Sequence, residues 1–265
     1  MYFQLDSPAY NKCTSIEDKF TTLATVLLTQ FKLQINDITC TIEEVEIYYN
    51  SPNHKDEYTH KNKDQLANSK WYFHQYPNGT YKSGTYKGLD ITFGNGLDTY
   101  GGVLIRSIQN VTTKEFITGP CNTVNYILMQ TNSTDTTDLV SKMKDLHITN
   151  NDNPIYLIHD EQHEHATIFA GPRVGLSLKH PSFLLKEYRY LKQPSKIPKY
   201  RSTIISSLHN KKTSIKDIAI LTKLSTTSIQ KAITEFDNAK NLTQEDINKL
   251  KPDKINKIYG YYTNK

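Results

Sequence analysis

Ile42-Glu43-Glu44-Val45-Glu46-Ile47-Tyr48-Tyr49 carries a two-sided pattern around which the rest of the chain can be ordered. As a strand it alternates: Val45, Ile47 and Tyr49 point to one side, and Glu44, Glu46 and Tyr48 to the other. One face is apolar and can anchor in a core, while the opposite face sets carboxylates beside a tyrosine. A wet acidic sheet surface satisfies this pattern. So does the floor of a pocket that handles a flat ring next to a carboxylate, and in that reading the polar loop reaching His60 lies where functional side chains often sit.

Upstream, SIEDKFTTLATVLLTQ (15–30) places Phe20, Leu23, Ala24, Leu27 and Leu28 at helical spacing with acids in the first turn, which predicts an amphipathic helix. Phe31 to Leu33 and Thr39 to Tyr49 read as strands joined by a turn at Asn36-Asp37. Downstream, residues 50–70 are polar and turn-rich and give way to Trp71-Tyr72-Phe73-His74. A segment dense in glycine and tyrosine follows (81–94) and reads as hairpins whose backbone a ligand or nucleic-acid strand can approach closely. Gly102 to Ile108 is an apolar strand interrupted by Arg106, and an arginine in such a run calls for an anionic partner, either Glu46 or a phosphate. Residues 119–129 and Asp138 to Leu146 read as short helices, and Tyr156 to Ile158 and Ala166 to Ala170 as strands. In HDEQHEH (159–165), Glu161 stands one position away from the H-E-x-x-H spacing of a zinc helix. This segment reads as a solvated loop, and no metal is expected.

A chain of 265 residues with 37% hydrophobic content has room for one large domain or a medium one with an appendage. It contains no apolar run near the roughly 18 residues of a membrane span, and its start, MYFQLDSPAYNK, lacks a basic-then-apolar signal. Cys13, Cys40 and Cys121 are odd in number and widely spaced, which fits a reducing, intracellular setting, nuclear or cytoplasmic. Charge is uneven: residues 1–195 carry 18 Lys and Arg against 21 Asp and Glu, and residues 196–265 carry 14 against 6. With the Pro-punctuated linker at 193–198, this predicts a body over 1–195 and a basic domain over 196–265 with a polyanion as partner. In the tail, residues 214–233 meet the demands of a helix-turn-helix. Ala219 is small at the crossing, Leu224 plugs the turn, Ser225 caps the second helix, and Ile229 and Ile233 face inward. Thr226, Thr227, Ser228, Gln230 and Lys231 are then exposed for DNA, with Lys211, Lys212, Lys216 and Lys223 near phosphates.

The ordered set LATVLLTQ, EEVEIYY…YTH, GVLIRSI, ITGPCNTV, GPRVGL and EYRYL, across roughly residues 15–192, resembles the alkyladenine (3-methyladenine) DNA glycosylase family. The resemblance implies an α+β fold, a curved and mostly antiparallel sheet with flanking helices, to which this chain adds a small all-α helix-turn-helix domain. By position it implies that Glu46 is the water-activating carboxylate and Tyr48 the tyrosine stacked on a flipped base. His60, Arg106, Arg173, Val174 and Gly175 complete the base pocket, and Arg189 matches a late arginine. For the DNA-inserting wedge, Tyr86 followed by Lys87 is preferred, with Tyr81 as competitor. Ser83 stands where a second stacking tyrosine is expected, and Trp71 to His74 has no close counterpart.

The expected activity is that of a monofunctional hydrolase: a modified base is flipped out of double-stranded DNA and excised with water as nucleophile, as in base excision repair, without a cofactor. Glu44 gains no role in this reading. Two other readings remain at this stage: a DNA-binding protein that keeps the fold without catalysis, and a regulator whose body binds a purine-like ligand.

Overall fold

The computed structural model describes residues 3–162, 165–176, 181–184, 186–198, 201–239 and 245. Two compact units divide between Ala166 and Thr167. The segment 167–195 therefore groups with the tail, whereas the charge pattern set the expected boundary after residue 195.

The first unit is α+β, with a curled antiparallel sheet and flanking helices. Helix α1 (Ile16–Gln30) begins at Ser15, whose hydroxyl accepts from the Asp18 amide at 3.0 Å while the Asp18 carboxylate accepts from the Ser15 amide at 3.1 Å. This reciprocal cap satisfies two orphan donors of the first turn. The five apolar residues expected on its inner face are the five that are buried. Strands β1 (Phe31–Ile35) and β2 (Ile38–Ser51) form the predicted hairpin, with Asn36 at a φ of 45° in the turn. There follow β3 (His54–Lys55), β4 (Asn68–Phe73), β5 (Leu89–Phe93), β6 (Tyr100–Asn110), β7 (Phe116–Thr118), helices α2 (Pro120–Gln130) and α3 (Thr136–Ser141), and β8 (Ile155–His159). The sheet order is β4-β5-β6-β2-β1-β8, with β3 on β2 and β7 on β6.

Helix α1 covers the odd-numbered face of β2: Phe20 meets Tyr49 edge-on at 5.4 Å, and Tyr49 stacks on Phe93 of β5 at 5.7 Å. Val45 and Ile47 are fully buried. The opposite face, with Glu44, Glu46 and Tyr48, is thereby left for the polar groups described below. Helix α3 ends at Ser141 instead of reaching Leu146, because the Lys144 amide donates to Asn153 Oδ1 and Asn153 Nδ2 donates to the Asp145 carbonyl. These bonds tie the chain to the next turn rather than to another helical turn.

In the second unit, β9 (Phe169–Gly171) pairs antiparallel with β10 (Arg189–Leu191), with the short α4 (Pro181–Leu184) between them. The strand expected from Ala166 thus starts at Phe169. Helices α5 (Arg201–Asn210), α6 (Ile215–Thr222) and α7 (Thr226–Ala239) surround a core of Ile205, Ile218, Ile229, Ala232 and Ile233, with Ala219 and Leu224 packed against it. Ser214 caps α6, Lys223 turns the chain at a φ of 55°, and the Ser225 hydroxyl accepts from the Ser228 amide at 3.2 Å at the start of α7. No helix among the described residues is long and apolar enough to cross a membrane.

Denaturation in urea separates the two supports of α1. Phe20→Ala, which empties a fully buried ring site, is expected to cost about 3–5 kcal/mol, and Ser15→Ala, which removes only the cap, about 1 kcal/mol.

Candidate active site on the polar face of the sheet

Strands β2 and β6 run in register as Cys40↔Asn110 and Ile42↔Ile108, then as Glu44↔Ser107, and return to the first register at Val45↔Ile105 and Glu46↔Leu104. Glu43 is therefore extra on β2 and Arg106 extra on β6, a bulge on each strand at the same level. Bulges re-aim side chains, and here they gather charge. Arg106 Nε donates to Glu44 Oε1 at 3.1 Å and its Nη1 to Glu46 Oε2 at 3.2 Å, while the Ser107 hydroxyl donates to Glu44 Oε2 at 2.5 Å. Glu44, Glu46 and Arg106 are 1%, 0% and 6% exposed. Burial opposes the guanidinium charge, but Glu46 and Glu44 outweigh it and hold Arg106 above its ordinary range. The anionic partner of Arg106 is thus a pair of carboxylates. Glu44, given no role by the sequence reading, is the clamp that aims Arg106 at Glu46.

Tyr48 donates its hydroxyl to Glu46 Oε2 at 2.9 Å, so its ring is tethered beside the carboxylate on a partly exposed surface. Across from Tyr48 lies Gly102 of β6. A Cβ there would come within 2.5 Å of Asp90 Oδ2 and 2.9 Å of Gln65 Nε2, so the missing side chain makes room for two polar groups.

Those groups open a second cluster on the same face. Directly paired residues point to one side of a sheet, and Glu46, Leu104, Asp90 and Tyr72 are paired in succession across β2, β6, β5 and β4. Asp90 Oδ1 lies 2.8 Å from His74 Nε2, and Asp90 Oδ2 accepts from Gln65 Nε2 at 3.3 Å. The His60 ring stands 4.4 Å from that of His74. Lys82 Nζ is 3.2 Å from His60 Nε2, and since an ammonium only donates, Nε2 is the acceptor and Nδ1–H donates to the Tyr72 hydroxyl at 3.3 Å. Burial of the ring, with His74 and Lys82 adding to it, holds His60 down to about 4. Burial likewise lowers Lys82, and burial followed by Asp90 raises Tyr72.

The structure brings Glu46, Tyr48 and Arg106 into contact and sets His60 in the neighbouring cluster. Of the wedge candidates, Tyr86 is 70% exposed on the 3-10 turn Gly84–Tyr86, with Lys87 next to it, whereas Tyr81 packs edge-on against Phe73 at 6.2 Å. Arg173, Val174, Gly175 and Arg189 belong to the second unit. There Arg173 lies over the Tyr188 ring at 5.5 Å and donates to the Phe183 carbonyl at 3.4 Å. Thr226, Thr227, Ser228, Gln230 and Lys231 are exposed on α7, while Lys211 bonds Glu187 at 3.1 Å. The residues missed from sequence are Glu44, Gln65, His74, Lys82 and Asp90. For Glu44 a signal existed: the fully buried apolar positions of β2 step 40, 42, 45, 47, and the step of three marks the bulge.

The chain is thus an α+β protein with a carboxylate–arginine–carboxylate triad buried on one face of an antiparallel sheet. No family profile matches it. It is 39% identical over 200 residues to uncharacterized protein L759 of Acanthamoeba polyphaga mimivirus, an alignment covering 71% of this chain and 92% of that protein, and it belongs to the same family.

Arg106→Met is expected to destabilise the protein by about 3–5 kcal/mol at pH 7, since it leaves two buried carboxylates facing each other. Their folded-state affinity for protons then exceeds that of the unfolded chain. The deficit should therefore shrink as pH falls towards 5, which urea midpoints at the two pH values will show. For Lys82→Met, NMR titration should find His60 moved up from about 4, by only part of the way to 6.5 because burial is the larger cause.

Proposed function

We propose that this protein is a monofunctional DNA N-glycosylase that flips a modified base out of duplex DNA and hydrolyses its glycosidic bond. The observation that carries the reading is the Glu46 carboxylate, fully buried on the sheet face and fixed through one oxygen by both Arg106 and the Tyr48 hydroxyl. A carboxylate so positioned is suited to take a proton from a water molecule as that water attacks the anomeric carbon. Such a general base contributes about 10²–10⁴-fold. Tyr48, tethered at its hydroxyl, offers its ring for stacking against the extruded base. The cost of extrusion, a few kcal/mol, is offset in part by Tyr86, an exposed aromatic at a loop tip that fits the gap left in the duplex.

The order of motifs that resembles the alkyladenine glycosylases agrees with this reading, as does the α+β sheet architecture. The α6–α7 pair reads as a helix-turn-helix that adds affinity for DNA. Its support is the shared isoleucine core, the tight turn at Lys223, and the exposed Thr226, Thr227, Ser228, Gln230 and Lys231 on a strongly basic segment. Lys211, engaged with Glu187, is the least suited of the tail lysines to hold a phosphate.

Incubation of the full chain with duplexes bearing different modified bases, scored by alkali-labile cleavage, tests the activity. Glu46→Gln is expected to abolish abasic-site formation while duplex binding persists. Undiminished excision by this variant sinks the assignment of Glu46, and tight binding by the native protein without abasic product on any duplex favours the non-catalytic reading. Lys231→Ala should weaken binding to all sequences alike and lower the slope of log K against log salt by about one.

A further inference from the structure

The outward face of α7 is built mainly from neutral hydrogen-bonding side chains. Thr227, Gln230, Lys231 and Thr234 recur at spacings of three and four and are all exposed, whereas Ile229, Ala232 and Ile233 turn to the core. With Thr226, Glu235 and the half-buried Ile215 at the start of α6, they line an open groove of about 720 Å³. Ser228 is tied at its hydroxyl to Ser225, 2.9 Å away. The side chains of Thr226, Thr227, Gln230 and Thr234, by contrast, give no hydrogen bond to another described residue. Their donors and acceptors are left for a partner.

Charge divides the tail further. Across 226–239 a single lysine, Lys231, stands against Glu235 and Asp237, while 211–225 carry four lysines against one acid. Two of those lysines, Lys212 and Lys223, occupy the tight turns ahead of α6 and α7, at φ of 61° and 55°, and both are exposed, as is Lys216. A helix with more acid than base gains no net attraction from a polyanion, so the salt-dependent, sequence-independent share of DNA affinity belongs to the turns and to α6. What α7 offers a duplex is hydrogen bonds and methyl contacts to base edges, and those are the contacts that carry sequence information.

The side chains also select the base. A glutamine amide forms two hydrogen bonds with N6 and N7 of adenine, threonine and other apolar methyls pack on the thymine methyl, and guanine is read best by arginine or lysine. Residues 226–239 contain no arginine. The N-terminal residues of a recognition helix are the ones that meet base edges, and Thr226, Thr227 and Gln230 stand there, with Glu235 and Asp237 in the half that leaves the groove. We infer that α7 reads sequence, with Gln230 on an adenine in a site of A·T pairs and with Lys212, Lys216 and Lys223 on the flanking phosphates. The tail then directs the body to sequence-defined sites instead of only raising its affinity for DNA everywhere.

This inference rests on the helix-turn-helix reading of the tail and not on the chemistry at Glu46, so it is tested on duplexes of unmodified bases. The full chain selects from duplexes with a randomised centre, and the bound fraction is sequenced and its members compared by competition at several salt concentrations. A short motif containing A·T pairs should emerge. Gln230→Ala should lose about tenfold in discrimination at one adenine of that motif with the slope of log K against log salt unchanged, and Thr227→Val, which keeps a methyl and loses the hydroxyl, should relax a neighbouring position. Lys223→Ala should weaken all sequences alike and lower the slope by about one. Binding without an enriched motif, or a motif of G·C pairs alone, overturns the inference. So does a motif that survives both Gln230→Ala and Thr227→Val, since another part of the chain then reads it. Absence of DNA binding, or binding whose salt slope ignores the combined Lys212→Ala, Lys216→Ala and Lys223→Ala substitutions, removes the helix-turn-helix reading itself.

Discussion

A guanidinium buried between two carboxylates is the constraint that organises the sheet. Arg106 sits in the middle of the longest strand pair in the sheet, and Glu44 and Glu46 reach it from the neighbouring strand. Taking three charges out of water is costly, and their attraction offsets the cost only when the geometry is tight and the remaining valences are filled. The Ser107 and Tyr48 hydroxyls supply part of that filling, and the Thr123 hydroxyl of α2 donates to the Arg106 carbonyl at 3.1 Å, which ties the backbone under the arginine to the helix. The apolar side of the same strands, packed on α1, supplies the stability that makes such a charged face tolerable.

From that constraint the division of the sheet into two faces follows. On one side lie Phe20, Tyr49 and Phe93, rings packed against one another. On the other, charged and hydrogen-bonding groups run across four strands from Glu46 to Tyr72, interrupted by Leu104 and by the notch at Gly102. Residues held on strands are placed with more precision than residues on loops, and both carboxylates invoked above, Glu46 and Asp90, are strand residues. The loop elements, Tyr86 among them, are at the rim.

What could be read in advance was whatever obeys a short period. The buried stripe of α1, the hairpin turn at Asn36 and the two-sided alternation from Glu44 to Tyr49 are all local, and all are present. Glu44 was passed over because its value depends on a bulge in a strand about sixty residues away, at Arg106. Asp90, His74 and Gln65 have no spacing that links them, since they come together only once β4 and β5 pair and the turn before β4 folds over them. The compact units divide earlier than the charge pattern does for a related reason. Charge composition changes near residue 196, but β9 and β10 pack with the helices that follow: a Cβ on Gly171 would strike Ile204 of α5 at 2.6 Å.

The paired irregularity of β2 and β6 also limits how this protein can change. Each strand carries one residue more than regular pairing needs, and because the two surpluses stand at the same level, the register on either side is unaltered. Deleting Glu43 alone would make Ile42↔Ile108 and Glu44↔Ser107 consecutive pairs and keep Ile42 in the core, leaving a bulge on β6 only; deleting Arg106 alone would leave the bulge on β2 only. Only removal of both would restore a continuous ladder, and it would remove the arginine. The ladder therefore tolerates loss of either surplus residue, but the two are not equivalent: the surplus on β2 is a glutamate outside the triad, whereas the surplus on β6 is the arginine itself, and its loss removes any activity that depends on it.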